Sequence, residues 1–128
     1  MSVGRARILL VEDELPLLQL LERYLQRVGF DVQTYSSSFQ ALREFEAAPG
    51  RYDLVIADLG LPEIPGDTMV TRMLEIQPDL LILICSGSFF NVLNLPKAMA
   101  HQVGFLQKPF LPKMMFEAIE TLLAQKNI

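Results

Sequence analysis

Glu12, Asp13, Asp58, Ser86 and Lys108 are the residues of this chain whose types, taken together, can do chemistry. Three carboxylates converging on one cleft repel one another, so such a site requires a divalent cation or raised pKa values. An all-oxygen donor set with open positions suits Mg²⁺ or Mn²⁺, and Mg²⁺ keeps several waters and shares its shell with a phosphate. Asp58 is the central carboxylate and the candidate nucleophile, because carboxylates form acyl phosphates. A metal there would screen an incoming phosphoryl group and polarise its oxygens. The Lys108 ammonium, a compact charge on a flexible stem, can pair with a second phosphoryl oxygen. The Ser86 hydroxyl can donate to the third. These are the parts phosphoryl transfer needs, where positioning and charge stabilisation do most of the work.

The elements that must carry these residues alternate along the chain. Arg7 to Val11 is a short apolar run ending in acids, which predicts a buried parallel strand. Leu18, Leu21, Leu25 and Val28 recur at helical spacing, with Gly29 as the C-cap glycine. Asp31 to Tyr35 predicts a second strand. Ser36, Ser37 and Ser38 offer N-caps for a helix with Phe39, Leu42 and Phe45 on its apolar face, ended by Pro49-Gly50. A third strand, Asp53 to Ala57, delivers Asp58 at its tip. Gly66 to Ile76 predicts a helix, Leu80 to Ile84 a fourth strand and Val103 to Gln107 a fifth. Pro96 is tolerated only in a first helical turn, so a short helix begins at about Leu95, capped by Asn94, and covers Lys97 to Ala100. A last helix runs from about Leu111 to Ala124, with Met115, Ile119, Leu122 and Leu123 inward.

Five strands alternating with five helices imply an α/β domain with a parallel sheet and right-handed crossovers. The order suited to this length is 2-1-3-4-5, the flavodoxin-like doubly wound arrangement, whose site lies at the carboxyl ends of the strands near the switch point. All five chemical residues fall at predicted strand ends.

The 128 residues fit one domain, 1–128 with a core of about 6–125, and allow a real core without disulfides. The net charge of −4 argues against direct nucleic-acid binding. No window approaches the ~20 apolar residues of a membrane helix. Met1 to Arg7 lacks the apolar stretch of a signal peptide, and the single Cys85 fits a reducing compartment, so a cytoplasmic location is expected.

With these residues in order, the chain resembles the receiver domain of two-component response regulators over essentially its whole length. Glu12-Asp13 is similar to that family's acidic pair. Asp58 followed by Pro62 and Gly66 resembles its phosphoacceptor loop, and Ser86 stands where the family places Thr or Ser. Lys108-Pro109-Phe110 resembles its Lys-Pro-Phe turn, and Phe105 its switch aromatic. The resemblance implies that Asp13 and Asp58 bind Mg²⁺ (or Mn²⁺) directly, Glu12 acts largely through water, and the Gly60 carbonyl adds a backbone ligand. It also implies a cis bond before Pro109, and a switch in which Ser86 is drawn to the phosphoryl group and Phe105 turns inward. The implied donor is a histidine kinase or histidine phosphotransfer protein. The output domain or protein would lie outside this chain. A homodimer through the face of the fourth helix, fifth strand and fifth helix is allowed.

The chain departs from the family pattern in places. Gly60 and Ser88 are small at positions flanking the phosphorylation site, which leaves water freer but removes an ordering side chain. The stretch Ser88 to Pro96 predicts a longer loop, with Phe89 and Phe90 either packed on the sheet edge or exposed as a partner anchor. His101-Gln102 replaces the small pair often found after that helix.

Taken singly, Glu12-Asp13 reads as a solvated strand end, Asp58 as a cap and Lys108 as a surface charge. Their joint placement favours a phosphoacceptor site. Phe105 reads equally as plain core or as a switch, and Cys85 as buried and inert. The leading expectation is a signalling switch phosphorylated on Asp58, not an enzyme beyond weak self-phosphorylation and self-dephosphorylation. A docking module without the chemistry is disfavoured by the intact acidic set and Lys108. A hydrolase with an aspartyl-phosphate intermediate commonly has an acid two residues after the nucleophile, where this chain has Gly60. Flavin binding is disfavoured because Glu12-Asp13 occupies the place of backbone donors.

Overall fold

The computed structural model describes residues 6–87 and 101–126. The chain order is β1 (Arg7–Val11), α1 (Leu15–Arg27), β2 (Asp31–Tyr35), α2 (Ser38–Ala47), β3 (Leu54–Asp58), α3 (Gly66–Ile76), β4 (Leu81–Ser86), β5 (Val103–Gln107) and α4 (Pro112–Lys126). The strands form one sheet in the order β2-β1-β3-β4-β5, and every pair is parallel. This is the doubly wound arrangement that the alternating pattern predicts. Four helices stand among the described residues, and α4 answers to the last predicted helix. The short helix expected at Lys97 to Ala100, its Asn94 cap, and Ser88, Phe89, Phe90 and Pro96 lie outside the described residues.

The central strands β1, β3 and β4 are almost continuously apolar because they bury both faces, whereas the edge strands β2 and β5 are only partly buried. Successive side chains alternate across the sheet. Ile8 and Leu10 join Leu54, Ile56 and Leu83 in a core under α1 and α4, supplied by Leu21, Leu25, Met115 and Ile119. Leu9 and Val11 join Val55, Ala57, Ile82 and Ile84 in a second core under α2 and α3, supplied by Phe45, Met69 and Met73. Two apolar layers pack on the sheet from both sides and fix the positions of its strand ends.

Local sequence explains where the helices start and stop. A proline lies in the first turn of α1, where its missing N–H costs nothing. Gly29 follows α1 at φ +105°, the left-handed conformation that glycine adopts without a Cβ penalty. Ser37 caps α2, its Oγ accepting the Gln40 N–H at 3.1 Å.

Several predicted details differ. Val28 is the exposed C-cap residue of α1 and takes no part in its buried stripe of Leu18, Leu21 and Leu25. Phe39 is 51% exposed, because α2 buries Ser38, Ala41 and Phe45 and turns Phe39 outward beside Arg43. Small residues carry that stripe, so the large ones did not mark it. β3 extends through Asp58 and β4 through Ser86, which places both residues on the strands themselves.

Candidate phosphoacceptor site

The carboxyl edge of the sheet gathers the chemical residues. Glu12 and Asp13 follow β1, Asp58 ends β3, Ser86 ends β4 and Lys108 follows β5. Register places Asp58 opposite Cys85 and Ser86 opposite Gln107. The Lys108 N–H donates to the Ser86 carbonyl at 2.7 Å, which continues the β4–β5 ladder by one residue into the site. The Lys108–Pro109 peptide is cis.

Lys108 spans the cleft. Its Nζ donates to Glu12 Oε1 at 2.8 Å and to Asp58 Oδ2 at 3.0 Å, and lies 3.5 Å from Glu14 Oε1. β5 and β1 are three strand spacings apart, roughly 14 Å, so only a long side chain closes this distance. Each of these two carboxylates has a second partner. Glu12 Oε2 accepts the Glu14 N–H at 3.1 Å, and Asp58 Oδ1 accepts the Gly60 N–H at 3.1 Å.

The electrostatics follow from burial and pairing. Glu12 is only 3% exposed. Burial pushes its carboxyl above the ordinary value, against the opposing pull of Lys108 and the Glu14 N–H. Burial pulls the Lys108 ammonium down, but its hydrogen bonds to Glu12 and Asp58 outweigh this and hold its pKa above that of a free lysine. The lysine is therefore a fixed positive charge at neutral pH.

One ammonium does not balance the acids around it. Ligand oxygens of Glu12, Asp13 and Asp58 all lie within 4.8 Å of one another. That span is slightly wider than the roughly 4.2 Å across a Mg²⁺ octahedron. A hard divalent cation fits this all-oxygen set, with Asp13 exposed and so accessible from solvent.

The remaining predicted residues are placed as follows. Ser86 is buried one strand away from Asp58. Gly60 is exposed at the start of the loop after β3. Phe105 is 37% exposed, which removes the reading of plain core. Cys85 is buried, and burial pushes its thiol up to about 12. Sequence reasoning missed Glu14, although the run of three acids from Glu12 was visible. It also missed the contacts of Glu63, whose Oε1 accepts from the Ser37 hydroxyl across the loop.

Comparison with known proteins agrees with this architecture. The chain matches the model of the response regulator receiver domain over residues 8–120. It is 29% identical to the response regulator receiver protein CpdR of Brucella abortus (strain 2308), covering 91% of this chain and 96% of that protein. It is 32% identical to the sensor kinase CckA of the same organism, covering 97% of this chain and 13% of the kinase. It is 34% identical to the transcriptional regulatory protein GlrR of Escherichia coli (strain K12), covering 98% of this chain and 28% of that protein. The chain thus spans nearly all of one relative and a small part of the other two. A receiver domain protein from Clostridium thermocellum superimposes with a TM-score of 0.79 at 29% identity, covering 94% of this chain and 97% of that one. A CheY-like receiver from Methanospirillum hungatei JF-1 shares the fold with a TM-score of 0.82 at 20% identity, covering 97% and 98%. This chain belongs to the response regulator receiver domain family of two-component signalling systems.

Proposed function

We propose that this chain is a phosphoacceptor switch in which Asp58 takes a phosphoryl group from a phosphohistidine on a histidine kinase or phosphotransfer protein. One observation carries the proposal: Lys108 Nζ stands between Glu12 and Asp58, while Asp13 faces the same cluster. The Asp58 carboxylate attacks phosphorus, the new O–P bond forms as the donor N–P bond breaks, and the imidazole leaves with the electron pair of that bond. Lys108 follows the charge from Asp58 Oδ2 onto a phosphoryl oxygen, and the Ser86 hydroxyl donates to another. The Gly60 N–H stays on Asp58 Oδ1.

Receiver domains typically bind Mg²⁺, and here Asp13, Asp58 and the Gly60 carbonyl would hold it. Both Glu12 oxygens already accept hydrogen bonds within the protein, which favours a role for Glu12 through water. When bound, the metal supplies Lewis-acid neutralisation of phosphoryl charge. Phe105, exposed before phosphorylation, is the residue that turns inward as Ser86 moves. The readout is a change of shape presented to an output domain or protein, with a second copy of this chain as one form it can take. The sensor kinase and transcriptional regulator among the relatives are two settings in which a matching domain occurs.

The test is incubation with a small phosphodonor and Mg²⁺ followed by intact mass, on the wild type and Asp58→Asn. The wild type gains one phosphoryl group and the variant gains none. No gain in the wild type, with a cognate kinase also supplied, overturns the proposal. A gain that persists in the variant moves the chemistry to another residue.

A further inference from the structure

The loop of residues 59–65 that leaves Asp58 is held from two sides. On one side, the Leu59 N–H donates to the Cys85 carbonyl of β4, and the Gly66 N–H at the start of α3 donates to the Leu59 carbonyl and closes the loop, each at 3.3 Å. On the other side it is fastened to the first turn of α2. The Ile64 N–H donates to Ser38 Oγ at 2.8 Å. Glu63 Oε1 accepts from the Ser37 hydroxyl at 2.5 Å and from the Phe39 N–H at 3.4 Å.

These contacts mesh with the helix cap. Ser37 Oγ accepts the Gln40 N–H and gives its own proton to Glu63, so one hydroxyl serves the helix and the loop together. Glu63 meets a second otherwise unpaired N–H of the helix start, where negative charge is favoured by the helix dipole. Ser38 is fully buried in a stripe that is otherwise apolar, and the Ile64 N–H gives its hydroxyl a partner. Leu61, also buried, pins the middle of the loop.

We propose that Ser37, Ser38 and Glu63 form a latch that positions the Asp58–Gly60 stretch for the cation and the phosphoryl group. This rests on the phosphoacceptor role proposed above. Glu63 and Ser38 are positioning residues that act through the loop backbone. With the loop fastened at Glu63 and Ile64, the Gly60 carbonyl is held in one place before any ligand arrives. Released, the loop must be ordered at the moment of binding, at a cost in affinity.

The experiment is a Mg²⁺ titration of the whole chain by calorimetry and by the Gly60 amide NMR shift. It compares wild type, Glu63→Ala, Glu63→Gln and Ser38→Ala, with Ile64 amide exchange as the local readout. Glu63→Ala should weaken Mg²⁺ by about tenfold, the lower end of the cost of losing an outer partner of a metal site, while Glu63→Gln, which keeps the acceptor, stays within about twofold of wild type. Ile64 exchange should quicken in Ser38→Ala and Glu63→Ala, and the exposed Glu63 variants should stay folded, with a melting temperature lowered by no more than about a few degrees. Wild-type affinity in Glu63→Ala overturns the latch. Equal losses in Glu63→Ala and Glu63→Gln also overturn it, since charge and not the tether would then matter. A wild type that neither binds Mg²⁺ nor accepts a phosphoryl group overturns the phosphoacceptor role itself, which is distinguishable from failure of the latch alone.

Discussion

The Lys108 ammonium lies closer to Glu12 Oε1, at 2.8 Å, than to Asp58 Oδ2, at 3.0 Å. A residue following the edge strand β5 therefore ties together the ends of β1 and β3. Glu12, the more deeply buried acid, anchors the ammonium, while Asp58 holds it beside the oxygen that would carry the phosphoryl group. The lysine is shared, so a change at Glu12 is felt at Asp58 without touching it.

Burial, opposed but not cancelled by the shared lysine, gives Glu12 a pH signature. Its folded pKa is raised above the ordinary 4.5, first by burial. The folded chain then holds this proton more readily than the unfolded one. The group's stabilising contribution is full below pH 4.5 and is lost as pH rises through the raised folded value. In urea titrations without divalent cations, the stability of the wild type relative to Glu12→Gln should decline as pH rises above 4.5. Parallel curves would show that Glu12 titrates alike in both states.

Tyr52 predicts the opposite of the usual cost of mutation. Its ring is buried, and its hydroxyl has no hydrogen-bond partner among the described residues. Burial also pushes its phenol pKa up. Tyr52→Phe removes an unsatisfied polar group and keeps the ring beneath Arg51. Urea unfolding should find the variant as stable as wild type or more stable by up to about 1 kcal/mol. A loss of that size would mean the hydroxyl is satisfied in solution.

What was legible in the chain depended on how local its cause was. The runs Ile8 to Val11 and Leu54 to Ala57 announced buried strands because burial on both faces leaves no polar alternation. Strand ends then gathered Glu12, Asp13 and Asp58 by topology alone, and the structure brings their oxygens within 4.8 Å. The exposure of Phe39 was not legible, because the buried stripe of α2 runs through Ser38 and Ala41 and carries little apolar signal. Nor was the pairing of Ser37 with Glu63, which are 26 residues apart and meet only through packing of α2 beside the loop. Glu14 beside Lys108 is the same kind of contact.

Cys85 should be chemically silent while the fold is intact. The thiol is buried, and desolvation pushes it up to about 12, so almost none is thiolate at neutral pH. A thiol-reactive chromogen at about pH 8 should label the protein no faster than it opens, with rates that climb along the urea transition. Rapid labelling in buffer would mean that the end of β4 opens locally. Because Cys85 pairs in register with Asp58, such opening would reach Asp58 directly.

Two glycines in one loop should respond in opposite ways to alanine. A Cβ on Gly66 would sit 2.8 Å from Leu59 Cα and closer still to the Asp58 carbonyl oxygen, both backbone atoms that cannot swing aside. The chain must shift there, and it shifts at Asp58 itself. A Cβ on Gly60 would meet only Asp58 Oδ1 at 3.8 Å, an ordinary contact. Gly66→Ala should lose about 1–3 kcal/mol in urea unfolding, the usual cost of overpacking a tight site. It should also slow phosphoryl acceptance from a small donor, because the Asp58 carboxylate moves with its backbone. Gly60→Ala should keep wild-type stability within about 0.5 kcal/mol, as surface substitutions do. Equal stability of the two variants would mean that the close approach of α3 to the end of β3 relaxes freely, and that Gly66 does not fix where Asp58 points.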